Sequence, residues 1–573
     1  MKNRFYLLSL ALLALVFLSQ SRAVMAGSMP VPAEEGDEEV TDSIATDSIV
    51  PVAIVNGDSL FASLTQAFYS ATDTAETNIQ LLADVSMGLV VINEGVTVSL
   101  DLNGYDVVID SLGIYNYGNL LITDSSESRD GSMFLDHGNV SMIYNYGELT
   151  IEEGSYVCSS KEFTGADFRR CLITFDNSKT FIKKGSFSST GQVLCAYGEL
   201  TIDAGEFVAT GNTDVVANYA VDQQLVINGG VFSNVADKPE GADLRRCLWT
   251  NTGTKTLIND GLFTSENQVV YLLGETTIEG GDFTSVGNAS VVRNYSMDGQ
   301  LTINGGSFQN LASKPEEGSD QRCCLFTNVN TKTVIDDASF SSTYQVLVLN
   351  GNATINGGSY TTNGNINVIG NFNTLGELVI NDGTFINTCN LYEESDNRRC
   401  LWASKGTTTT VNNGTFTNDA TAQTITIYGT ATVNGGIITN NGQGSGIASN
   451  GSVEITDCRI SAWNMLICWE GATMVCSGGL YSEPIPENLL AEGCECVENI
   501  DADTMETYPY KVVKGSRGDV NGDGSVDVAD ISTVISVMAG GESEETEKAA
   551  DVNGDGNVDV ADISTVISIM AGE

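Results

Sequence analysis

The chain of 573 residues has one histidine, eight prolines and 26 basic residues against 74 acidic ones. Each scarcity excludes something. A formal net charge of −48 repels nucleic-acid phosphates and anionic lipid, so neither is expected as a partner, whereas divalent cations suit such a field. The lone His137, in FLDHGN, leaves no imidazole pair for acid–base work and reads as a turn residue. Long apolar runs are missing beyond the start. There, MKNRFYLLSLALLALVFLSQSRAVMAG places Lys2 and Arg4 before about a dozen apolar residues and the small cleavage-type residues Val24-Met25-Ala26. That pattern predicts a signal peptide over 1–26, too short to be a membrane span. No cysteine lies near it, which argues against a lipid anchor. The expected product is soluble and secreted, without membrane insertion.

Scarce proline beside 60 glycines points to tight turns between short strands rather than long helices. The 13 cysteines suit an oxidising compartment, and their odd number leaves at least one unpaired within the chain. All lie between Cys158 and Cys496. Cys158 with Cys171, and Cys389 with Cys400, flank equivalent insertions and are candidates to close them. The others read as buried small hydrophobes.

What is present in abundance is a repeat. Ile/Val-x-x-Gly-x-Phe/Tyr recurs as IEEGSY (151–156), IKKGSF (182–187), IDAGEF (202–207), INGGVF (227–232), INDGLF (258–263), IEGGDF (278–283) and INGGSF (303–308). It continues as INGGSY (355–360), INDGTF (380–385) and VNNGTF (411–416), with degenerate copies at 335–340, 433–438 and 455–460. Successive spacings run 31, 20, 25, then 31, 20, 25, then 32, 20, 25, so three units make a superrepeat; Cys171, Cys247, Cys324 and Cys400 mark the same interval. Units of this length built from short alternating strands predict a solenoid. The lead Ile faces inward, Asn/Asp-Gly supplies a corner where positive φ is cheap, and the Phe turns inward again. Thirteen stacked coils are expected, with Ile over Ile and Phe over Phe at ~4.8 Å per coil.

Residues 27–50, acidic and Ser/Thr-rich, read as a linker. SLFASLTQAFYSATD (59–73) is predicted to be an amphipathic helix with Leu60, Leu64 and Phe68 on one stripe, and 78–85 and 96–109 to be strands. A helix followed by strands and coils resembles the N-terminal cap of pectate-lyase-like right-handed β-helix proteins. The resemblance implies a mainly β fold, a right-handed parallel β-helix over 51–515 with its cap at 51–110. It does not fix an activity, because that fold serves lyases, hydrolases and adhesins alike.

Residues 519–530 place Asp519, Asn521, Asp523, Asp527 and Asp530 at positions 1, 3, 5, 9 and 12 of a loop, with Gly524 at position 6. Ca²⁺ takes six to eight oxygens, and this spacing wraps them around one ion, with the Ser525 carbonyl completing the shell. A second loop repeats it with Asp551, Asn553, Asp555, Asn557 through its carbonyl, Asp559 and Asp562. Two calcium ions are therefore expected. A helix follows each loop, with Ile531, Val534, Ile535 and Met538, then Ile563, Val566, Ile567 and Met570, predicted to pack together. KVVKGSRG, before the first loop, offers no entering helix. Duplicated loops, Asp at position 12 and exiting helices only resemble a type I dockerin over 517–573. That resemblance implies docking to a cohesin-type module through positions 10 and 11, here Val528-Ala529 and Val560-Ala561, in either of two orientations.

Catalytic signals are thin. Asn212-Thr213-Asp214 and Asp336-Asp337 resemble fragments of polygalacturonase sites, but no Gly-His-Gly or Arg-x-Lys accompanies them, so both read as incidental. Arg169-Arg170, Arg245-Arg246, Arg322 and Arg398-Arg399 recur before the cysteine ladder, each after an acidic insertion. They read either as a ladder gripping acidic sugars or as local ion pairs with the insertion. Trp249 and Trp402, just beyond, offer sugar-stacking rings, although Phe326 at the matching place suggests packing. The sequence thus points to a non-catalytic display body binding carbohydrate or another surface partner. The alternative is a polysaccharide lyase or glycoside hydrolase whose site the sequence does not reveal.

Overall fold

A computed structural model describes residues 50–571, apart from Ser111, His137, 160–168, 390–394, Ser516, Gly524 and 541–543. The predicted signal peptide, most of the linker and the lone histidine therefore lie outside the described residues. Among the described residues no helix is long and apolar enough to cross a membrane.

One coil shows how the solenoid is made. Glu199–Ile202 lies in a first sheet, Glu206–Ala209 in a second and Asp214–Asn218 in a third, before Gln224–Ile227 returns to the first. Each strand pairs in parallel with its counterpart one coil on, Leu200 with Leu225 and Phe207 with Phe232. The motif's corner needs its glycine. Gly205 has φ +127°, and a Cβ there would lie 2.8 Å from the Gly185 carbonyl oxygen of the coil below. Inside, eleven rings from Tyr156 to Phe416 stack in one column with centroids 4.6–5.0 Å apart, the spacing expected from the strand separation.

The solenoid is longer than the motif count. The third sheet has 16 strands. The additional coils begin at Thr77–Leu81, Thr97–Asp101 and Asn119–Thr123, and a further first-sheet strand, Thr473–Cys476, lies beyond the last motif copy. Met133 and Val107 stand there in the column that Tyr156 continues, so the Gly-x-Phe signature is missing although the geometry is the same. The predicted strand 96–109 is two, Thr97–Asp101 and Asp106–Ile109, because Asn103 and Gly104 adopt φ of +48° and +79° and turn the chain between them.

The N-terminal cap also differs. Helix α1 covers only Leu64–Tyr69, and Ser59–Phe61 is a strand antiparallel to Ala53–Val55, which in turn pairs with Thr77–Leu81. Leu64 and Phe68 are buried as predicted, whereas Leu60 sits on that hairpin, 60% exposed. At the far end, Cys494–Glu498 and Tyr510–Lys514 form an antiparallel hairpin against Gly479–Tyr481. Both ends thus finish in antiparallel strands, which block continued parallel stacking. No disulfide joins the cysteines of the described residues. Burial pushes the Cys195 and Cys323 thiols up to about 11, so these are packing residues without thiolate reactivity.

Candidate functional site

The C-terminal pair comprises α2 (Val528–Met538), α3 (Glu544–Ala550) and α4 (Val560–Met570). Helix α3 is a correction: the second loop does have an entering helix. EETEKAA consists of good helix formers apart from its threonine, and Ala550 at its end is fully buried. The core joins Val534 and Val566 with Val537, Ala550 and the loop residues Val520 and Val552. Ile535, Met538, Ile567 and Met570, predicted to complete it, instead face outward.

Each loop folds around its own side chains. Asp530 is fully buried and accepts hydrogen bonds from the Val520, Asn521 and Asp527 amides at 2.7, 3.0 and 2.8 Å. Asp527 accepts in turn from Ala529, forming a reciprocal cap on α2. Asp562 and Asp559 repeat this on α4. At the loop mouth, the Asp523 amide donates to Asp519 Oδ1 at 3.1 Å and to Asn521 Oδ1 at 2.9 Å, and the Asp555 amide to Asp551 Oδ1 and Asn553 Oδ1 at 3.0 and 2.8 Å. Oxygens from positions 1 and 3 therefore converge on one point in both copies. Among the described residues, three or more acidic side chains are nowhere drawn into a metal-holding cluster; here the carboxylates bond the loop amides. The donor set is nonetheless all oxygen, with positions 1 and 3 already converging, which fits a hard cation such as Ca²⁺. Loop positions 10 and 11 are exposed: Val528 and Val560 by 65% and 64%, with Ala529 and Ala561 beside them. Val528, Ile535 and Met538 share one outward face of α2, and Val560, Ile567 and Met570 the same face of α4.

The arginine pairs divide into two sets. Arg245, Arg322 and Arg398 are buried. Each grips the aspartate two residues before it with two hydrogen bonds: Asp243 at 2.9 and 2.9 Å, Asp320 at 2.8 and 2.6 Å, Asp396 at 2.8 and 2.7 Å. Each also donates to a carbonyl at the start of its insertion, Ala236, Ala312 or Cys389. Arginine clasps, not disulfides, close these insertions. Arg169 is buried too, so this half of the expected ladder does not face a ligand. Arg170, Arg246 and Arg399 lie half-buried on the outer face of the third sheet, where Arg293, overlooked in the sequence, joins them.

On that face Asp214 is buried and pairs with Arg246 at 2.7 Å. Burial raises its carboxyl to about 6, against the opposing pull of Arg246 and Gln192. It is the only acid on the strands of that sheet, and glycoside hydrolysis takes two. Asp336 belongs to an exposed corner ladder, bonded by Asn356, itself bonded by Asn381 and that by Asn412. A shallow concavity of about 700 Å³ on the first sheet is lined by Lys332, Asn352, Leu375, Glu377 and Thr408 among others; it offers a single carboxylate. Trp249 and Trp402 are half-buried on the third sheet.

Residues 517–570 match the family described as the Dockerin type I domain. No curated protein and no solved structure matches the chain. The C-terminal pair is a type I dockerin domain, a calcium-binding module, following a mainly β solenoid of parallel sheets.

Proposed function

We propose that the dockerin domain holds two calcium ions and attaches an exported chain to a cohesin-type module, presenting the β-helix as a binding surface rather than a catalytic one. Asp519, Asn521, Asp523, Ser525, Asp527 and Asp530 would hold one ion, and Asp551, Asn553, Asp555, Asn557, Asp559 and Asp562 the other. The observation that carries the docking reading is the duplicated outward stripe. Val528, Ala529, Ile535 and Met538 recur 32 positions on as Val560, Ala561, Ile567 and Met570. A folded domain with a core this small has no internal reason to leave four such residues on its surface twice in the same arrangement. Two equivalent faces allow docking in two orientations. The predicted signal peptide supports export.

The test is binding of the full chain to an immobilised type I cohesin. Binding is expected in Ca²⁺ and lost in chelator. Val528→Asp or Val560→Asp alone should cost no more than about twofold, since the other face remains, while the double variant should lose at least about 100-fold. Calcium-independent binding, or a double variant that binds normally, would remove this reading.

A further inference from the structure

The surroundings of Trp249 and Trp402 are one arrangement built twice. Gln192, Asp214, Ala217, Tyr219, Arg246 and Trp249 recur, each 153 positions on, as Gln345, Asn367, Gly370, Phe372, Arg399 and Trp402. Strand register pairs Asp214 with Arg246 and Asn367 with Arg399. The superrepeat between them puts Arg293 in the small-residue place and Phe326 in the indole's, with the guanidinium 5.1 Å from the ring centroid. In the first coils of this face rings lie flat on one another, Tyr115 on Tyr144 and Tyr117 on Tyr146 with planes within 10°, and cover each other's faces. The indoles do not. Trp249 is inclined 49° to Tyr219, and Trp402 50° to Phe372 and 52° to Tyr428, and both are half-buried, so part of each side chain reaches solvent.

Beside Trp402, Gln345 Nε2 and Asn367 Oδ1 are buried without a hydrogen-bond partner. A Cβ on Gly370 would lie 2.4 Å from that Gln345 nitrogen and 2.6 Å from the Phe372 ring, so the glycine is what lets both close in. Buried polar atoms left unsatisfied are a cost that a fold carries where another group supplies the bond. Charge narrows the class of that group. In a chain with 74 acidic residues, the strands of the third sheet carry only Asp214, against Arg246, Arg293 and Arg399. Asp214 neutralises Arg246. Arg399 instead bonds Thr426, Gln423 and the Asn397 carbonyl, and neither it nor Arg293 has a carboxylate within ion-pair distance among the described residues.

We propose that the outer face of the third sheet is a track for a linear polysaccharide containing hexuronate units, with stacking subsites at Trp249 and Trp402 and Arg293 between them. A tilted indole takes the C–H face of a pyranose. Gln345 and Asn367 take its hydroxyls as Phe372, the exposed ring over the notch, turns aside. A guanidinium fork matches a carboxylate. Six coils separate the indoles, or ~29 Å, so a chain long enough to reach both is held at two points and gains in effective concentration. The proposal rests on the reading of the β-helix as a binding body.

The full chain in Ca²⁺ would be tested by calorimetry and affinity electrophoresis with polygalacturonate, a galacturonate trimer and a neutral β-glucan. The polymer is expected to bind at least about tenfold more tightly than the trimer, and Trp249→Ala and Trp402→Ala each to weaken it about tenfold or more. Asn367→Asp gives Arg399 the partner Arg246 has; it should weaken the polymer about fivefold with the melting temperature unchanged. No retention of polygalacturonate, or retention indifferent to Trp402→Ala, would overturn the track. Equal affinity for the neutral glucan would overturn the uronate assignment. Retention accompanied by new reducing ends would uphold the track and instead defeat the non-catalytic reading.

Discussion

The solenoid and the dockerin domain are both repeats, yet they are held together by different forces. In the solenoid each coil buries its inner face against two neighbours, and one continuous apolar core runs from Ala53 to Val512. Shape carries that structure: rings stack on rings and a glycine turns each corner. The dockerin domain buries six apolar residues, Val520, Val534, Val537, Ala550, Val552 and Val566. A core of that size does not hold a fold alone. Its loops are organised by carboxylates that accept backbone amides, the same groups that suit a cation. Changes in charge should therefore break the small domain, and changes in volume the large one.

The largest effect is expected from Asp530→Ala. It leaves the Val520, Asn521 and Asp527 amides without their acceptor, at about 1–3 kcal/mol for the buried Val520 donor and less for the two part-buried ones. A core of six apolar residues has little net stability to set against that loss. Calorimetry should show the dockerin transition vanish while the solenoid transition stays, and calcium chelation should do the same. An unchanged dockerin transition in the variant would mean that the carboxylate is not what organises the loop.

Next in size is Phe283→Ala. Its ring lies 4.7 Å from both Phe263 and Phe308 and is fully buried, so truncation opens a cavity worth about 3–5 kcal/mol. Since each coil touches only its neighbours, the loss should be local. Hydrogen exchange is expected to rise in the coils around 263–308 and to remain slow near Ile122 and Ile455. Uniform loosening along the whole solenoid would contradict nearest-neighbour stabilisation.

The same contrast explains what the sequence disclosed. Ile-x-x-Gly-x-Phe was legible because inward side chains must repeat at the pitch of the coil, and Gly205 has no substitute where a Cβ meets the coil below. The first coils were not, because Val107 and Met133 fill the ring column without that signature. Outward residues of the third sheet obey no such rule. Tyr144, Ile173, Cys195, Ala217 and Trp249 follow one another there, so the face had no motif, and Arg293 went unnoticed. The clasps did leave a trace, Asp-x-Arg at 243–245, 320–322 and 396–398, but the adjacent arginines mask which of the two the aspartate holds. In the dockerin loops the alternation of oxygens was plain. Which apolar face of each helix turns inward was not, because Val520 and Val552 from the loops take the places that Ile535 and Ile567 were expected to fill.

The smallest effect concerns a charge inside the region governed by shape. Asp214 pairs with Arg246 yet burial raises its carboxyl from 3.8 to about 6. A carboxylate raised on folding contributes stability that is complete below its unfolded value and is lost as pH rises through its folded value. The window therefore runs from roughly pH 4 to 7, and the contribution at stake is about 3 kcal/mol. Asp214→Asn, the residue that Asn367 supplies in the second arrangement, removes the titration. Relative to that variant the native chain should be more stable near pH 4 and should lose the advantage by pH 7, with the solenoid melting temperature as the readout and the dockerin transition unaffected. The opposite trend, a native chain that gains on the variant as pH rises, would show the ion pair with Arg246 outweighing desolvation. Charge would then stabilise the solenoid at that point as it does the dockerin loops, and the division between the two regions would fail there.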